Sequence, residues 1–197
     1  MSESPTSDVI ETAVYDLDGV ITYKDSFSAV IKDLLRRRPQ QLVKALPAAA
    51  LMMLSGHTNH RHRCARLIAR IALAGLSHAE YRALAEAFGR RIGTDPTWMR
   101  TEAVERIRRQ HDDGTRIVIA TATEASLAES LLDHAGVPYD VLSASQLQET
   151  GSGMSVADHR VGSRKTEALR ELGIDIGAAE FITDSMTDLP TAQAAAR

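Results

Sequence analysis

Val14-Tyr15-Asp16-Leu17-Asp18-Gly19-Val20 is the stretch that decides the fold. Thr12 to Tyr15 is short, apolar and β-prone, and reads as a buried strand. That strand runs straight into two carboxylates two positions apart, with a glycine directly after them. Further along come, in order, Thr121 after an apolar run, Lys165 opening a helical pattern, and a second acidic pair, Asp184 and Asp188. Carboxylates, one threonine and one lysine in this order describe a site that holds a divalent cation and attacks a phosphate.

Working outward, the chain alternates strands and helices on the C-terminal side. Arg116 to Thr121 reads as a buried strand, Glu124 to His134 as a helix closed by Gly136, and Tyr139 to Leu142 as a short strand. Thr150 to Met154 is turn chemistry, a small hairpin or loop. Arg164 to Leu172 is a helix stopped by Gly173, Phe181 to Thr183 a last strand, and Thr187 onward helical. Alternation of this kind predicts an α/β fold with a parallel sheet. Between the first strand and the rest, no strand pattern occurs. Helical patterns cover Phe27–Arg37, Leu42–Leu54, Arg61–Ala74 and His78–Phe88, with breaks at Pro39, Ser55-Gly56, Gly75 and Gly89. Ser77 and Glu80 have capping-box spacing. Asp95-Pro96 is expected to open a helix running to Arg109. The organisation expected is a discontinuous core, residues 1–22 and 96–197, with an inserted all-helical cap, residues 23–95.

In an open parallel sheet, ligands bind beyond the carboxyl ends of the strands. Asp16 and Asp18 follow the first strand, Thr121 and Thr123 the second, and Asp184 the last. Lys165 lies at a helix start within reach of the same cleft. Asp16 is the candidate nucleophile, since a carboxylate can attack phosphorus and become an acyl phosphate. A hard cation, Mg2+, would offset the repulsion between carboxylate and phosphate, held by Asp16, Asp184 and the Asp18 carbonyl. The Asp18 side chain is placed to protonate the leaving alkoxide. Lys165 and Thr121 would stabilise the transferring phosphoryl, and Asp188 would orient Lys165 or a water.

Asp16-Leu17-Asp18-Gly19, Ile119-Ala120-Thr121, Lys165 and Thr183-Asp184-Ser185-Met186-Thr187-Asp188 together resemble the haloacid dehalogenase (HAD) superfamily, in its phosphatase branch. The resemblance runs from Val9 onward. It implies a Rossmann-like three-layer core, Mg2+ as cofactor and an aspartyl-phosphate intermediate. Dehalogenases of that superfamily lack the second aspartate, so Asp18 points to phosphoryl transfer. A cap placed directly after the first motif is similar to the phosphoserine-phosphatase-like subgroup, in which an acidic residue nine positions past the nucleophile can touch substrate; Asp25 has that place, and Thr123 is a further candidate contact. Thr183 stands where a Gly is common, and Ala122 where Gly or Asn is. Relatives usually continue beyond the point matching Arg197, so either the sheet is one edge strand short or the missing part is supplied otherwise.

Composition narrows the partners. With 44% hydrophobic and 25% charged residues the chain is ordinary globular protein. A single Cys64 leaves no internal disulfide and fits a reducing compartment. The polar start Met1–Asp8 does not read as a secretory signal, and cytoplasmic localisation is expected. Residues 23–95 carry 13 Lys/Arg against 5 Asp/Glu, while the chain as a whole has a net charge of −3. That basic segment suits a strongly anionic substrate, a phosphorylated metabolite or a lipid phosphate, and peripheral contact with an anionic membrane. Leu42–Leu54 reads either as a cap helix with a buried face or as a membrane-facing surface. Nucleic acid is not expected as a partner. A calcium loop is excluded, since its fifth, sixth and twelfth positions fall on Val20, Ile21 and Phe27. His57, His60, His62 and Cys64 match no closed zinc pattern well, and Gly151-Ser152-Gly153 lacks the tail of a P-loop. The alternatives are a phosphotransferase or phosphomutase, since Asp16 to Thr22 also looks like beta-phosphoglucomutase, and a non-catalytic binding module on this scaffold.

Overall fold

The computed structural model describes residues 12–197. Five strands form one sheet in the order β4-β3-β2-β1-β5: β1 Thr12–Tyr15, β2 Arg116–Glu124, β3 Val141–Thr150, β4 Gly153–Asp158 and β5 Glu180–Ile182. β3, β2, β1 and β5 are mutually parallel, and β4 returns antiparallel on β3 as a hairpin. Tyr15 lies opposite Ile119 and Ile182, so Asp16 leaves the sheet beside the ends of both neighbouring strands.

Alternation along the strands makes the three layers. Ala13, Tyr15, Ile117 and Ile119 point into one apolar cluster with Val104 and Ile107 of α5 (Thr101–Asp112) and Leu127 and Leu131 of α6 (Ala125–Ala135). Val14, Val118 and Ala120 point the other way, onto Leu169 of α7 (Ser163–Glu171) and toward Ala194 of α8 (Leu189–Ala194). A strand buried on both faces reads as a continuous apolar run, and β2 has that sequence.

Five helices lie between β1 and β2: α5, already placed under the sheet, and before it α1 Ser26–Arg37, α2 Pro39–Leu54, α3 Thr58–Leu73 and α4 His78–Gly93. Their apolar residues Val30, Leu34, Leu73, Tyr81 and Phe88 join the same cluster as the first face of the sheet. α4 opens with the capping box expected at Ser77 and Glu80. It does not break at Gly89 but continues to Gly93. Both glycines lie against α6, where a Cβ on Gly89 would come within 2.8 Å of Ser130 Cβ and one on Gly93 within 2.5 Å of Leu131 O. Gly here serves close helix approach rather than a stop.

Other expectations need correcting. The break expected at Pro39 is present, between Arg37 and Pro39, but α2 starts at Pro39 itself and not at Leu42, because a first-turn position has no helical N–H to lose. Asp95 caps no helix: its carboxylate accepts from Thr97 N at 2.9 Å and Thr97 Oγ1 at 2.7 Å, closing a local turn. α5 begins only at Thr101. β3 runs to Thr150, well past Leu142, because the turn residues after it close a hairpin. Ala196 N donates to Ala179 O and Phe181 N to Arg197 O, so the last residues lie along the outer edge of β5.

Candidate active site

Asp16 follows β1 and is buried. Its N–H donates to Ile182 O at 2.9 Å, which ties the loop to the end of β5. Its Oδ1 accepts from Leu17 N at 2.8 Å and lies 3.2 Å from Lys165 Nζ. Lys165 comes from the first turn of α7 and is 1% exposed, an unusual place for a lysine without a partner. Its ammonium is shared with the carboxylate of Asp188, also buried. Thr183 Oγ1 donates to the same Asp188 oxygen at 3.2 Å and accepts from Ser185 N at 3.1 Å. Burial pushes the Asp16 carboxyl up to about 7; Lys165 pulls it down, and the neighbouring Asp188 carboxylate raises it.

Asp18 faces the other side of the loop. Its Oδ2 accepts from Thr123 Oγ1 at 2.6 Å, and its Oδ1 accepts from Ser26 N at 2.9 Å, with the Thr22 hydroxyl 3.2 Å away. Thr121, wholly buried at the end of the regular β2 pairing, receives Thr123 N on its hydroxyl at 3.0 Å. Burial raises the Asp18 carboxyl above the usual carboxylate range, partly offset by the Thr123 hydroxyl; Asp25 raises it further and Ser26 N–H lowers it. A carboxyl held this way is suited to carry a proton.

Asp184, exposed just past β5, closes the loop of residues. Gly19 has φ +84, and a Cβ built there would overlap the Asp184 carboxylate, so Asp184 rests directly on the Gly19 backbone. That contact explains why the residue after Asp18 is a glycine. Asp25 is exposed and caps α1, accepting from Ser28 N at 2.6 Å. Among the described residues, no three His, Cys, Asp or Glu side chains form a metal cluster. The set expected around Mg2+ is two carboxylates and a backbone carbonyl, which is no such cluster. His57, His60 and His62 are exposed while Cys64 is buried, so those four side chains do not share one environment.

Three residues escaped the sequence reading: Thr22, Ser26 and Glu124. Thr22 and Ser26 are buried polar groups in the segment after the loop, and both serve Asp18. Glu124 caps α6 through Ser126 N and Leu127 N and accepts from Tyr81 Oη of α4 at 2.9 Å. A carboxylate directly before a helix was the available signal. At the base of the helical segment, Tyr23 N donates to Trp98 O, Thr22 bridges Met99, and Lys24 Nζ lies 5.0 Å over the Trp98 ring, so the two linkers run side by side.

This sheet, with aspartates at the ends of β1 and β5 and a lysine delivered from α7, defines the class. The haloacid dehalogenase-like hydrolase family model matches residues 13–193, and the chain belongs to that family. No curated protein matches it. Among solved structures, a protein of unknown function from Bordetella pertussis Tohama I is similar at TM-score 0.65 and 20% identity, covering 94% of this chain and 87% of that one. A phosphoserine phosphohydrolase-like protein from Francisella tularensis subsp. tularensis SCHU S4 is similar at TM-score 0.61 and 15% identity, covering 93% and 82%. CbbY from Rhodobacter sphaeroides, in complex with phosphate, is similar at 0.52 and 20%, covering 94% and 83%. At these identities the likeness is one of fold.

Proposed function

We propose that this chain is a Mg2+-dependent phosphomonoesterase working through an aspartyl-phosphate on Asp16. The observation that carries this reading is the buried Lys165 ammonium, held between Asp16 and Asp188 where β1 and β5 end. Asp16 and Asp184 would supply carboxylate oxygens and Asp18 a carbonyl oxygen, an all-oxygen donor set of the kind a hard cation such as magnesium takes. Bound there, Mg2+ supplies charge neutralisation between the phosphate and the aspartates.

The side chains carry the rest. The Asp16 carboxylate attacks phosphorus, forming the acyl-phosphate bond as the ester P–O bond breaks. Asp18, held by Thr123, Ser26 and Thr22, gives its proton to the departing alkoxide. It then takes a proton from the water that attacks the acyl phosphate, releasing inorganic phosphate and free Asp16. Lys165 and the Thr121 hydroxyl stabilise charge on the phosphoryl oxygens, and Asp188 with Thr183 fixes the ammonium in place. Residues 23–95 act as a cap over this cleft, excluding water and selecting the leaving group. Asp25, close enough to Asp18 to shift its carboxyl, is the residue assigned to touch the substrate. The substrate is a phosphorylated small molecule or a lipid phosphate.

Hydrolysis of an aryl phosphate with and without Mg2+ tests the reading. Wild type turns over with magnesium, and Asp16→Asn loses on the order of 1,000-fold or more, as removal of a covalent nucleophile does. Equal rates in the two proteins would refute it.

A further inference from the structure

We propose that α2 and α3 form a docking face for an anionic lipid surface. α2 is apolar around almost its whole circumference. One stripe, Gln41, Ala45, Ala48 and Met52 at helical spacing, turns inward, with Ala45 and Ala48 buried. The opposite arc leaves its large residues in solvent: Val43 is 65% exposed, Leu46 55%, Leu51 56%, and Met53 and Leu54 85% each. A helix apolar on all sides is ordinarily buried, and this one is covered on one side only. Its 16 residues reach about 24 Å. No described helix is long and apolar enough to cross a membrane. A short helix of this kind lies in the plane of the interface, with its apolar arc among the acyl chains.

Charge decides between occupants. No Asp or Glu occurs between Asp33 and Glu80, whereas Arg36, Arg37, Arg38, Lys44, Arg61, Arg63, Arg66 and Arg70 all do. Arg63, Arg66 and Arg70 share one exposed stripe of α3 and make no ion pair among the described residues. Lys44, Leu67 and Arg70 line a single groove of about 240 Å³ between α2, α3 and the β3–β4 hairpin, so cationic and apolar groups border one another. Apolar insertion flanked by cations complements an anionic bilayer. A second copy of the chain does not, because a symmetric contact sets this acid-free face against itself. Arg66 and His62 stand close to His159, helping burial to push its imidazole down. The next residue, Arg160, donates to Ser143 Oγ at 3.0 Å, and Ser143 pairs with Ala120, next to Thr121. Arg66 of the basic stripe is therefore near the segment that follows the hairpin, whose Arg160 reaches β3.

Flotation of the full chain with vesicles of equimolar phosphatidylcholine and phosphatidylglycerol, against pure phosphatidylcholine, tests this. Wild type floats with the anionic vesicles and is released by added salt, a result that needs no variant. Leu46→Asn with Leu54→Asn abolishes flotation, and Arg63→Ser, Arg66→Ser and Arg70→Ser together weaken partitioning on the order of 100-fold. All five side chains are exposed, so melting temperatures stay at the wild-type value and separate lost docking from lost folding. Absence of flotation, equal binding to pure phosphatidylcholine, or a solution dimer dissolved by the leucine substitutions would each overturn the proposal. The inference stands apart from the catalytic one: Asp16→Asn floats like wild type, so either can fail alone.

Discussion

Replacing Lys165 by Met removes the cation that two buried carboxylates share. At 3.2 Å and an effective dielectric near 20, its attraction to Asp16 is about 5 kcal/mol. Met has nearly the same length and spares the several kcal/mol of burying an ammonium, yet it leaves Asp16 and Asp188 facing each other unpaired. Breaking a buried pair from one side costs ~3–5 kcal/mol, and that loss is expected near pH 8. The pH dependence is the sharper part. Burial has already raised Asp16 to about 7, against ~3.9 in the unfolded chain. In wild type the cost of ionising it therefore accumulates as pH rises from about 4 to about 7 and is constant above. Lys165 lowers that folded value, so in Lys165→Met it moves higher and the cost goes on accumulating at ~1.4 kcal/mol per pH unit. The Asp16 share of the gap between the proteins opens only above about pH 7. Below it, what remains is the lost Asp188 pair. Urea unfolding of both proteins in chelator-treated buffer, at about pH 5.5 and about pH 8.5, should give a difference larger by ~1–2 kcal/mol at the higher pH. A pH-independent difference, or a loss under ~1 kcal/mol at pH 8.5, would show that Lys165 does not compensate these carboxylates.

Two further substitutions probe other contacts. Gly19→Ala forces a side chain into φ +84 and onto the Asp184 carboxylate. It should cost ~1–2 kcal/mol in stability and raise the Mg2+ concentration needed for half-maximal turnover, read from a magnesium titration. Tyr81→Phe leaves a buried Glu124 oxygen without its hydroxyl donor. Urea unfolding should show a loss of ~1–3 kcal/mol.

The sheet was legible because β1 and β2 are buried on both faces and their apolar runs end in polar groups. The motif aspartates were legible for the same reason, since strand ends in a parallel sheet point to one cleft. Helix boundaries were harder where a residue has two uses. Gly89 reads as a stop in sequence, but its lack of a side chain serves contact with α6, 41 positions further along at Ser130. Asp95-Pro96 has the composition of a helix start, and the nearby Thr97 takes the carboxylate instead. Ser26 carries no local signal of a role at Asp18, because its bond exists only once the start of α1 is folded back on the loop, and the Thr22 bond, though local, depends on the turn that the loop takes after Gly19.

The contact of Gly89 and Gly93 with α6 bears on how this helical segment can be exchanged. Tyr81 and Glu124 join the same two helices, and Ser130 Oγ donates to Glu86 O at 2.8 Å. A chimera that transplants residues 23–95 onto another scaffold would carry a glycine-notched helix to a host surface shaped for a different neighbour. Grafting therefore requires moving α6 as well, and the unit of inheritance on this side of the sheet is the helix pair.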